Sequence, residues 1–143
     1  MWENFSTMPK LLKFLTAHAA LCFVFFALSA IPNDMLSIDG RHVTYAEWWS
    51  SGAGLFASSV GVAGPFVAWA FASKQPYARA SYLWFLALAF VAPCPFFGML
   101  AYALPGLLVV GVGAIYLYKW QSVQVYFAPN PSSKRTRENP RAA

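Results

Sequence analysis

Residues 11–31 read LLKFLTAHAALCFVFFALSAI: twenty-one positions whose single formal charge, Lys13, lies at the third. A helix needs about 20 predominantly apolar residues to cross the hydrocarbon core of a bilayer, and Lys13 is near enough to the end to snorkel. The run is too long for the apolar core of a signal peptide and ends in Ile31-Pro32-Asn33-Asp34 instead of a small-residue cleavage site. It therefore reads as a retained membrane span.

The pattern repeats along the chain. Further spans are expected at about 53–73, 79–97 and 99–120, leaving a loop at 32–52 and a tail at 128–143. The last two spans are divided by Pro93-Cys94-Pro95-Phe96-Phe97-Gly98, where two prolines and a glycine favour a reversal. One unbroken helix would be about 60 Å long, roughly twice the hydrocarbon thickness. The composition agrees: 59% of the 143 residues are hydrophobic and 10% charged, against about 25% charged in soluble domains. A globule this small cannot hide so much apolar surface. The expected fold is an all-α integral membrane protein, a four-helix transmembrane bundle with a small β-hairpin.

The net charge of +5 forms no nucleic-acid-binding stripe, because its cations lie in short clusters between apolar runs. With the N-terminus inside, Lys10, Lys13, Lys74, Arg79, Lys119, Lys134, Arg135, Arg137 and Arg141 fall on one side and Arg41 alone on the other. That asymmetry predicts both termini in the cytoplasm, with a bacterial inner membrane as the setting. Trp48 and Trp49 then fall at the outer interface, and Trp69, Trp84 and Trp120 near the inner one. The polar, basic tail reads as disordered, and anionic headgroups would attract its cations.

In the outer loop, Asp39-Gly40 lies between β-favouring residues, a hairpin signal. Thr44-Tyr45-Ala46-Glu47 has the spacing of a capping box. It predicts a helix that starts near Tyr45, skims the interface with Trp48 and Trp49 and enters the membrane near Gly52.

Few residues suggest chemistry. His18 and Cys22 share one face of the first span and would make half a site for a soft metal or haem iron. Metal sites usually need three or four ligands, and the plain reading is a packed thiol beside a hydrogen-bonded imidazole, with no cofactor. Gly54, Ser58, Gly61 and Gly64 form a stripe of small residues that lets helices approach closely, and Gly106, Gly111 and Gly113 repeat it in the last span. Pro65 and Pro105 are expected to bend their helices. All five acidic residues, Glu3, Asp34, Asp39, Glu47 and Glu138, fall outside the expected spans, whereas proton- or cation-coupled transport usually needs an intramembrane carboxylate. Motifs for zinc hydrolysis, phosphate binding or a serine nucleophile are missing, so no enzyme is expected.

Two functional classes remain. The first is an interaction protein, either an accessory subunit of a membrane complex or an immunity-type protein against a membrane-acting toxin. Its partner would meet Tyr45, Trp48 and Trp49, since aromatic anchors dominate interfaces; the plainer reading of those rings is a lipid-interface belt. The second is an oligomeric pore, a holin-like protein or a small-solute carrier, lined by Ser58, Ser59 and His18.

Overall fold

The computed structural model describes residues 2–96, 98 and 100–128. The tail expected to be disordered lies, apart from Ala128, outside the described residues. The chain is mostly helical with one small antiparallel sheet. In order, the elements are α1 (Trp2–Thr7), α2 (Lys10–Leu21), α3 (Phe23–Ala30), β1 (Ser37–Ile38), β2 (Arg41–His42), α4 (Tyr45–Ser50), α5 (Ala53–Ala72), α6 (Ala78–Phe90), α7 (Pro93–Phe96), a 3-10 turn at Leu100–Tyr102, α8 (Ala103–Lys119) and α9 (Gln121–Phe127).

Four helical stretches are long and apolar enough to cross a membrane: Lys10–Ala30, Ala53–Ala72, Ala78–Pro95 and Leu100–Lys119. They are called spans 1 to 4 below. Span 1 is α2 and α3 joined at Cys22, whose N–H reaches both the His18 and Ala19 carbonyls at 3.2 Å. This is a locally tightened turn and not a break.

The two prolines expected to bend their helices occupy unlike positions. Pro65 lies inside the continuous helix α5. Pro105 falls in the first turn of α8, where a missing N–H costs no helical bond; it starts that helix instead of bending it.

Packing follows the chain. Span 1 lies along α5, α5 packs on α6, and α6 packs on α8. Phe71, Leu12, Leu117, Val67 and Val123 are fully buried and belong to one core. The free side of α8 exposes Leu104, Leu107, Leu108, Val112 and Ile115. An apolar face of that breadth suits lipid far better than water.

Small residues set the close approaches. A Cβ on Gly61 would collide with the backbone of Phe26, and one on Gly64 with the Ala19 carbonyl oxygen and, at 2.8 Å, the Cys22 Cβ. Gly106 lies equally tight on the Phe90 carbonyl, whereas a Cβ on Gly111 would meet nothing within 4 Å. Similar glycines in the sequence thus occupy unlike surroundings.

Both short terminal helices sit where α5 ends. The Gln75 N–H bonds the Ala70 carbonyl at 2.9 Å and the Lys74 N–H bonds that of Phe71 at 3.0 Å, with Lys74 left-handed at φ 52°. This is a Schellman ending with a lysine where glycine is usual. The Asn4 side-chain amide donates to the Ala72 carbonyl at 3.1 Å, and the Tyr126 hydroxyl to that of Phe71 at 3.0 Å. Residues 4 and 126 therefore share one end of the bundle. Lys74 Nζ lies 4.5 Å from the centre of the Tyr126 ring, and the Arg79 guanidinium 4.7 Å from that of Phe127, both within cation–π range.

Burial pushes the Tyr126 hydroxyl up to about 12 from the ordinary 10. The folded chain thus favours neutral phenol. The resulting stability is intact below pH 10 and is lost as pH rises toward 12. We expect α9 to undock across that window, seen as increased proteolysis at 121–128, and to do so less steeply in Tyr126→Phe.

Candidate functional site

At the opposite end of the bundle the loop forms a built platform. Asp39 and Gly40 have φ values of 51° and 77°, the paired positive angles of a tight hairpin turn that matches strand twist. Ser37 faces His42 and Ile38 faces Arg41, and the Val43 N–H extends the ladder to the Leu36 carbonyl at 3.1 Å. Leu36 is buried and pins the hairpin from below.

Helix α4 begins where the capping box places it, with the Glu47 N–H donating to Thr44 Oγ1 at 3.2 Å. The Tyr45 hydroxyl donates to the Ala30 carbonyl at 3.2 Å, tying the platform to the end of span 1. The helix does not continue into α5 as one rod. Gly52, at φ 83°, separates α4 from α5, because a left-handed residue ends one helix and aims the next.

Arg41 of the hairpin and Glu47 of α4 form an exposed ion pair. The hydrogen bond from Arg41 holds the Glu47 carboxyl below its ordinary value, and Glu47 in turn raises Arg41. A lowered carboxylate supports folding above its unfolded value of 4.5 and ceases to do so as pH falls through its folded one. Acidification below about pH 4 should therefore speed proteolytic nicking near Asp39-Gly40, and Glu47→Gln should flatten that response.

Trp49 links the three aromatic residues expected to act together. Tyr45 and Trp49 are 36% exposed and meet edge to face, with ring centres 6.2 Å apart. Trp48 and Trp49 both close on α5, where a Cβ on Gly54 would lie 2.8 Å from the Trp48 ring and 2.9 Å from that of Trp49. Gly54 thus receives two indoles, while Gly61 and Gly64 receive helix backbone.

Beneath the hairpin is a cavity of about 490 Å³. Ser37 and Ile38 stand at one end, Trp48, Phe56, Val60 and Phe85 line its walls, and His18 and Cys22 also reach it. His18 and Cys22 do share a helix face. The Cys22 thiol, however, donates to the His18 carbonyl at 3.4 Å. Among the described residues no group of three His, Cys, Asp or Glu side chains is placed to hold a metal ion. Trp48 Nε1 and Ser58 Oγ are buried without a hydrogen-bond partner in the protein, while Ser59 Oγ bonds back to the Leu55 carbonyl at 2.8 Å. Comparison with known protein families, curated proteins and solved structures finds no match to this chain.

The cavity had no signal in the sequence. It depends on how far three helices diverge, which no single residue encodes.

Proposed function

We propose that this chain is a multi-pass protein of a bacterial inner membrane, both termini cytoplasmic, which works by holding a protein partner on its outer loop. The partner is either a larger membrane complex that it serves as accessory subunit or a membrane-acting toxin that it neutralises. The observation that carries this reading is the platform. An isolated two-stranded hairpin is marginal in water. Here it is secured by the Asp39-Gly40 turn, the Arg41–Glu47 pair, the buried Leu36 and the Tyr45 bond to Ala30. What it presents is Tyr45 and Trp49, side chains of the kind that anchor interfaces. The shared bundle end of residues 4 and 126 and the nine-to-one division of Lys and Arg support the orientation.

The second reading is an oligomeric pore or carrier. Less supports it: Gly61 and Gly64 are filled by span 1, and Ser59 is turned back on its own helix.

The test is affinity purification in mild detergent of the native chain beside Tyr45→Ala and Trp49→Ala. A partner retained by the native protein and lost from both variants, with membrane content unchanged, supports the proposal. A homo-oligomer alone, with saturable or gated solute flux after reconstitution, overturns it in favour of the pore. Reporter fusions at residue 76 and at the C-terminus should emerge on the same, cytoplasmic, face.

A further inference from the structure

Spans 1 and 4 are the two ends of the packing order. A groove of about 430 Å³ runs between them at the bundle end that carries residues 4 and 126. Its deeper walls are Leu11 of α2 and Val112 and Ile115 of α8, all exposed. Val112 lies eight residues before Trp120, so the apolar wall descends about 12 Å at 1.5 Å per residue.

The rim is of another kind. Lys10 stands there at the start of α2. Trp120, extended at ψ 120°, ends α8 and begins α9, and so brings Ser122 to the same groove. Lys10 and Ser122 are exposed, and neither side chain has an ion pair or hydrogen bond among the described residues. Trp120 is 60% exposed, an indole of the sort that settles at headgroup level.

Charge around this rim is one-sided. Among the described residues, this bundle end holds Lys10, Lys13, Lys74, Arg79 and Lys119 against one carboxylate, Glu3. Lys74 and Arg79 are engaged by the rings of Tyr126 and Phe127. Lys10 is not, and of these cations it is the one that lines the groove. A fitting ligand has a negative group at the rim and an apolar chain below it. In a bilayer, an acidic phospholipid has both. A zwitterionic headgroup carries its own cation to Lys10 and loses part of the attraction.

We infer that this groove is a site for an acidic glycerophospholipid. Its phosphate lies at the Lys10 ammonium and accepts from the Ser122 hydroxyl, and one acyl chain descends between Leu11 and Ile115. The lipid closes the side of the bundle that packing in chain order leaves open. The site is independent of what the outer loop holds.

For the test, the full-length protein in mild detergent is mixed with phosphatidylglycerol and phosphatidylcholine of equal chain composition. Native mass spectrometry then counts the lipids retained. Phosphatidylglycerol should be held in preference, one molecule per chain. Lys10→Gln should weaken its retention about fivefold, the effect of removing one cation at a membrane surface, and erase the preference. Ser122→Ala should weaken it about two- to tenfold, the range for one hydrogen bond. Val112→Trp and Ile115→Trp, which fill the apolar wall, should reduce both lipids while thermal unfolding shows the chain still folded. Lys134→Gln, in the basic tail, controls for unspecific attraction and should match the native protein. Equal retention of both lipids by the native chain overturns the acidic headgroup, and an unchanged Ser122→Ala overturns the hydroxyl contact. A loss in Lys134→Gln as large as in Lys10→Gln, or retention insensitive to both filling variants, overturns the groove. A dimer that forms without lipid and is disrupted by Ile115→Trp overturns the occupant, because a second copy then covers this face.

Discussion

Gly64→Leu is expected to be the most damaging single substitution in the membrane-spanning part of this protein. The glycine Cα rests against the Ala19 carbonyl and Cys22, so even a methyl group has no room. The obstruction is backbone, and a helix cannot rotate it away as it could a flexible side chain. Overpacking a tight core commonly costs about 1–3 kcal/mol, and this site belongs at or above the upper limit because α2 and α5 must separate. Gly61→Leu should behave alike, since its Cβ would strike Phe26. The contrast is Gly111→Ala on α8, where a Cβ meets nothing within 4 Å. That change should be neutral or stabilise by about 0.5–1 kcal/mol. Thermal or denaturant unfolding in one detergent ranks the three variants. A Gly64→Leu protein as stable as the parent would show that span 1 does not lie on α5 at that point.

Phe71→Ala should be the second large effect. Phe71 has no exposed surface, and its ring centre lies 5.3 Å from that of Tyr82 and 5.9 Å from that of Phe127. Truncating a buried phenylalanine typically costs about 3–5 kcal/mol. Part of that is a cavity penalty, which lipid on the outside of the bundle does not relieve. The loss should reach beyond the ring's own pocket, because that ring packs on Phe127 of α9. We expect lower stability together with faster proteolysis at 121–128. If stability falls while α9 stays protected, α9 is held by Lys74 and Arg79 and not by Phe71.

The parts of the fold that could be read from the sequence are those encoded locally. Four spans follow from length and apolarity, and the observed helices begin and end within a few residues of the expected positions. The hairpin follows from Asp39-Gly40, and the start of α4 from Thr44 and Glu47. The short helices α1 and α9 were not legible. WENFST and QSVQVYF are too brief and too mixed to form helices by propensity. They exist because Asn4 and Tyr126 find the carbonyls that end α5, contacts 68 and 55 residues away in sequence. Gly52 was legible as a glycine but not as a break, since a left-handed angle is a property of the path and not of the residue.

For the candidate site, the types were legible and their partners were not. Tyr45, Trp48 and Trp49 read as one aromatic patch, yet only backbone direction decides that both indoles close on Gly54. The stripe Gly54, Ser58, Gly61 and Gly64 marks where neighbours come near without saying which neighbours.

The chain-order packing of the spans has a consequence for biogenesis. Once the second hydrophobic segment has left the ribosome, it can find the first, and each later arrival docks on its predecessor without any earlier pairing having to be undone. Helix α1 must wait until Ala72 has been synthesised, and α9 latches later onto the same spot. Tyr126 thus seals a joint whose other half was laid down 55 residues before.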